Sequence, residues 1–161
     1  MNTKKEPITN LVFAEVLKRL KAIQAGDSYF CSPMVYDYKK QLESKEFPAI
    51  VLYQAGDEWS TGGGNGSNDA CGNVEINVSQ QIIITLFHDS VEQLNRLKAD
   101  VEIALRVNDL KAGNLLLPAG ENSGVAYALQ GPVMALPPED LMMGHARFTL
   151  TAIYSRAHGS P

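Results

Sequence analysis

The residues of this chain that could do chemistry are few, and their spacing is uninformative. Cys31 and Cys71 stand forty positions apart, and neither belongs to a Cys-x-x-Cys. No metal-type spacing joins them to His88, His145 or His158, so they read as two free, reduced thiols rather than a disulfide. Cys31 paired with a distant histidine is the one candidate nucleophile, and it lacks any local signature. His88 ends a predicted strand beside Asp89, while His145 precedes the last strand, and nothing in the sequence brings them together. The acidic pairs Asp57-Glu58 and Glu139-Asp140 fall at predicted turns, where solvated charge explains them. The run Ser60-Thr61-Gly62-Gly63-Gly64-Asn65-Gly66 invites a phosphate-loop reading. Such a loop needs a lysine with Ser/Thr at its end and a helix behind it, and here a strand follows instead. The expectation is a protein that is no enzyme, with no catalytic residue, metal ligand or cofactor site.

Composition narrows the remaining classes. At 161 residues the chain fits a single domain, residues 1–161, with enough length to bury a core without a metal or disulfide staple. Hydrophobic content of 45% and charged content of 20% are ordinary for a globular protein. No apolar run approaches the ~20 residues of a membrane helix, so no membrane partner is expected. The two lysines near the N-terminus lack an apolar region of signal-peptide type behind them, which predicts a cytosolic product. A net charge of −4 with scattered basic residues argues against a grip on nucleic acid.

The elements that must position any surface are legible from periodicity. Residues 7–25 repeat Ile8, Val12, Val16, Leu20 and Ile23 at helical spacing, with Glu15 four before Arg19. Gly26 reads as a left-handed residue ending that helix. A half-polar strand over 34–42 belongs near a sheet edge, and the charged run 39–46 after it is a solvated turn. Residues 49–53, Ala-Ile-Val-Leu-Tyr, are apolar on both phases and predict an inner strand starting just after Pro48. Gly56-Asp57 reads as the turn that ends it. Residues 74–87 hold one alternating phase for about fourteen positions, or roughly 45 Å, longer than an ordinary strand. Gln80 interrupts that phase and marks either a bulge or the point where the strand leaves the core.

A long β-hairpin over 54–80 follows from these readings, with residues 60–73 as a flexible, glycine-rich tip. Ser90 and Gln93 form a capping box opening a second helix over 91–107, where Val91, Leu94, Leu97, Val101, Ala104 and Leu105 make the apolar stripe and charged residues lie opposite. Glu92–Arg96 and Glu102–Arg106 add favourable pairs. A strand near 124–130 is broken or bulged at Gly131-Pro132, and a final strand over 147–155 puts Phe148, Leu150, Ala152 and Tyr154 on one face. The order α-β-β-β-α-β-β predicts an α+β, two-layer domain. Its mostly antiparallel sheet has about five strands, with two helices packed on one face.

Candidate contact residues follow from this frame. Trp59, with Asp57 and Glu58, sits where core gives way to projecting hairpin, and Gln80, where the next strand's apolar phase breaks, joins them as a candidate contact. Leu141, Met142 and Met143 place three large apolar residues in a loop, which either adapts to a partner or folds over its own core. Leu115 to Leu117 raise the same two readings. The assembled chain resembles the tail terminator family of long-tailed bacteriophages, with its related minor tail and tail-completion proteins. The resemblance rests on the first helix ending at "AIQAGDSYF", the strand "VYDY", the strand "FPAIVLYQAGDEW" and the final strand "ARFTLTAIYS", and it spans residues 8–157.

The resemblance implies a structural virion protein of the tail, assembled in the host cytoplasm. Such a protein forms a homo-oligomeric ring, a hexamer, that caps the tail tube and ends its polymerisation. It implies the tail tube protein and the head–tail connector proteins as partners, with DNA passing through the lumen without specific binding. It supplies no catalytic residue, and it offers no counterpart for the glycine-rich tip or the methionine loop. Two alternatives stay open: a head–tail connector or minor tail protein of the same fold, and a ferredoxin-like ligand- or RNA-binding module.

Overall fold

The computed structural model describes residues 6–38, 42–61, 75–105, 125–135 and 144–157. Its elements are α1 (Ile8–Lys21), β1 (Met34–Asp37), β2 (Ala49–Thr61), β3 (Glu75–His88), α2 (Val91–Ala104), β4 (Ala126–Ala135) and β5 (Gly144–Ala157). The strands form one mixed sheet in the order β1-β2-β3-β5-β4, in which only β1 and β2 run parallel. This is the expected α+β order, with the short strand β1 at an edge.

Cross-strand register explains the core. Leu52, Ile84 and Phe148 stand side by side on one rung, and Ile50, Leu86 and Ala146 on another. All six are buried, and Val12, Val16 and Leu20 of α1 and Leu94, Leu97 and Val101 of α2 join them in one cluster. Both helices therefore lie on the same side of the sheet. The strict alternation of β3 and β5 produces this, because a period of two puts every second residue on one face.

Several local expectations need correction. Helix α1 stops at Lys21, four residues short of the predicted end, and Ala22 closes it in ordinary right-handed geometry. Gly26 is not left-handed, since Gly131 is the only described glycine with positive φ; its amide instead donates to the Tyr29 carbonyl. Strand β1 ends at Asp37 rather than residue 42, because Tyr38 adopts φ 58° and turns its ring onto Phe13 of α1. Residues 44–46 form a 3-10 turn within the charged connection. The last strand runs further at both ends than 147–155.

Gly56-Asp57 does not end β2. The register shifts between Gln54 and Gly56, so Ala55 is an extra residue and pairing resumes with Gly56 opposite Gln81. A bulge absorbs the turn signal and lets the strand run on to Thr61. Nor does β3 leave the core at Gln80, for Val78 and Ile76 beyond it remain buried. Of the predicted tip, residues 60–73, Ser60 and Thr61 belong to β2 and the rest lies outside the described residues, as do Leu115 to Leu117, Glu139-Asp140, His158 and Arg106, the expected partner of Glu102.

The Gly131-Pro132 signal also proves to be a bulge, because register shifts between Gln130 and Val133 while β4 continues. Gly131 has φ +108°, and a Cβ there would come 2.8 Å from the Arg147 carbonyl oxygen. Gly131→Ala should therefore destabilise the protein by about 2–3 kcal/mol, through backbone strain and that clash. A urea titration checks it: a midpoint within error of the parent would mean the bulge relaxes freely.

Candidate interaction surface

No helix covers the second face of the sheet among the described residues. Its rungs follow from register: Val51–Thr85–Arg147–Val133, then Tyr53–Ile83–Thr149–Gln130, then Glu58–Ser79–Ile153–Ala126. Val51 and Thr85 are buried at the centre, with Tyr53, Ile83 and Phe87 half-buried around them. Val133 and Ile153 are 70% and 51% exposed, and Met34 on β1 is 50% exposed. Scattered exposed apolar residues are normal, but here they share one face with a continuous β-branched and aromatic lining. Arg147 is the exposed cation on these rungs.

The predicted contact residues divide. Asp57 and Glu58 are exposed on β2, and the Asp57 carboxylate accepts from the Gln54 side-chain amide at 2.7 Å. Trp59 lies on β2 with its backbone opposite Val78. Gln80 is not a surface residue: it is fully buried beneath α1 and donates to the Thr9 carbonyl at 3.0 Å. Beside it the Thr9 hydroxyl bonds the Tyr154 hydroxyl at 2.8 Å. The amide that breaks the apolar phase of β3 thus fastens the first turn of α1 to the sheet. Leu141, Met142 and Met143 lie outside the described residues.

The candidate chemical groups stay apart. His88 bonds its neighbour Asp89 at 2.6 Å, whereas His145 packs against the ring of Phe87. Among the described residues no three His, Cys, Asp or Glu side chains gather as a metal site. No described helix is long and apolar enough to cross a membrane. Cys31 is buried against Asp100 of α2, whose carboxylate accepts the backbone amides of Phe30 at 2.9 Å and Cys31 at 2.8 Å. Burial foremost, then the Asp100 charge and its hydrogen bond, push the Cys31 thiol from 9.0 up to about 11.

That shift makes the thiol inert rather than nucleophilic. In native protein at pH 8, alkylation of Cys31 should run about 100-fold slower than in urea, as its thiolate fraction falls in proportion. Peptide mass spectrometry after timed iodoacetamide labelling reads this directly, and equal rates would disprove the burial of the thiol. The sign for stability follows. The unfolded chain releases this proton first, so the Cys31 contribution to stability falls as pH rises from about 9 to 11.

Asp100 was not foreseen. It sits three residues after Leu97 and four before Ala104, inside the buried stripe, where the sequence predicts charges only on the opposite face. Val91, expected in that stripe, is exposed instead. A lone carboxylate at core spacing was the available signal, and its partners are backbone groups 69 and 70 positions away. Of the other α2 expectations, the Ser90 side chain accepts from the Gln93 amide and Glu92 pairs with Arg96 at 2.7 Å, while the helix ends at Ala104 rather than residue 107. Comparison of the sequence with models of known protein families and with curated proteins finds no match in either.

Proposed function

We propose that this chain is a structural protein of a long-tailed phage virion, a tail terminator that forms a ring on the tail tube. The observation that carries the reading is a sheet with helices, among the described residues, on one face only. Both helices lie on one face, while the other carries Val133, Ile153 and Met34 toward solvent. A stable partner surface of this kind buries apolar side chains at its centre and keeps polar groups at its rim. The border of β2 beyond the four residues that pair with β1 offers main-chain groups to the strand of a neighbouring subunit. Contacts that repeat head to tail around a closed rotation make a ring. A net charge of −4 suits a lumen that passes DNA without holding its phosphates.

The RNA-binding alternative has less support, because Arg147 is a sparse cationic setting for aromatic stacking on this face. A head–tail connector or minor tail role differs in position within the virion, and immunolabelling of particles separates it from a terminator.

Electron microscopy of the purified chain, alone and mixed with tail tubes, tests the proposal. Six-fold rings, or rings appearing on tube ends, are the expected result. A chain that stays monomeric at high concentration and ignores tubes would overturn it. Ile153→Lys and Trp59→Ala should each reduce ring formation about tenfold or more while leaving the melting temperature within a few degrees. Loss of stability with assembly intact would return Trp59 to the core.

A further inference from the structure

The two edges of the sheet are unequally finished. Strand β1 covers β2 only where Met34 through Asp37 pair with Ala49 through Leu52. Tyr38 then closes this border, donating its amide to the Leu52 carbonyl and accepting the Gln54 amide on its hydroxyl. From Ala55 to Thr61, β2 has β3 on one side and, among the described residues, no strand on the other. The far edge is β4, which pairs with β5 and has no second neighbour among the described residues. An unpaired strand edge is a template for another strand, and proteins normally cover or guard it.

The two open edges suit each other. Strands β2, β3, β5 and β4 alternate in direction, so β2 and β4 run oppositely. If the sheet of one copy continues into the next, β4 of the newcomer meets β2 as an antiparallel neighbour. Side chains leave room for this. Ala126, Ala128 and Ala55 are small and exposed, and a Cβ added at Gly56 meets nothing within 4 Å. The bulge at Gly131 limits the regular part of β4 to residues 126–130, and the free stretch of β2 is of similar length. Because β1 and Tyr38 fill the lower part of the border, the incoming strand must sit displaced toward Thr61. An even displacement keeps inner faces inner, because an odd one would exchange every side chain between faces. Such a shift per copy is the shear that any closed sheet requires.

We infer that copies of this chain join edge to edge, residues 126–130 of β4 in one copy pairing antiparallel with residues 55–61 of β2 in the next. The contact is heterologous and leaves one free edge of each kind, so it propagates until it closes. It supplies a subunit contact for the ring of the proposed function, yet it concerns self-association alone and is testable without phage components.

Engineered cysteines test it in a Cys71→Ser background. Glu58→Cys combined with Gln130→Cys or Ala128→Cys should give covalent multimers under mild oxidation, while each single variant gives monomers on a non-reducing gel. Dimers from Ala128→Cys alone would overturn the inference in favour of a two-fold contact. A charge pair provides the second arm. Gln130→Asp, facing the acid of Glu58, should weaken association about fivefold per contact by sedimentation, whereas Gln130→Lys should not. Adding Glu58→Lys to Gln130→Asp should restore the parent value. Rings that form without cross-links and ignore both charges would sink the edge pairing while leaving the ring itself standing. A chain monomeric at every concentration would sink both.

Discussion

Asp100→Ala should lower the stability of the protein by about 3–4 kcal/mol, more than any other single polar substitution on α2. The carboxylate is fully buried and accepts two backbone amides, from Phe30 and Cys31. Truncation leaves both donors without their acceptor, and a buried unsatisfied group costs about 1–3 kcal/mol. Asp100→Asn keeps one acceptor oxygen, so it should cost about half as much. The same change removes the charge that helps raise the Cys31 thiol, so Cys31 should alkylate faster in both variants. Denaturant melts and labelling rates together check the pair. Unchanged stability with faster labelling would mean that the loop around Cys31 is held by other contacts.

Leu52→Ala is expected to be as severe, at about 3–4 kcal/mol, for a different reason. Leu52 is fully buried on the same rung as Ile84 and Phe148. Deleting a large core side chain loses its transfer free energy and leaves a cavity, typically about 2–5 kcal/mol in all. The contrast with Ile153 on the second face is the useful control. Ile153→Ala should change the urea midpoint little, because that side chain is half exposed in the single chain. Similar losses at the two positions would mean that the second face is covered within the chain itself.

How far the sequence speaks depends on the residue. Alternation in β3 and β5 made the buried set readable in advance, since Ile82, Ile84, Phe148 and Leu150 each fall on the predicted phase. The capping pair of Ser90 and Gln93 was equally local and equally clear. The misses arise where distant groups decide. Gly56-Asp57 looks like a turn, but pairing along β3 carries the strand past it as a bulge. Tyr38 gives no sign in its own neighbourhood of the left-handed turn that ends β1, because Phe13 and Gln54 supply its partners. Asp100 and Gln80 read as a surface charge and an interruption, and each proves to be a buried fastening for a segment about 70 positions away. Propensity and pattern report on neighbours along the chain, whereas these polar groups answer to neighbours in space.

The extra residue at Ala55 has a geometric meaning beyond letting β2 continue. Its deletion would preserve every cross-strand pair on both sides, since Gln54 stays with Ile82 and Gly56 with Gln81. What would change is curvature, because a bulge bends and further twists the strand that carries it. Gly131 and Pro132 place a second bend on β4, at the opposite border of the same sheet. In a closed assembly the angle turned by each copy fixes how many copies complete the circle. In the ring proposed above, removal of Ala55 should therefore alter the diameter while leaving the fold of each copy in place.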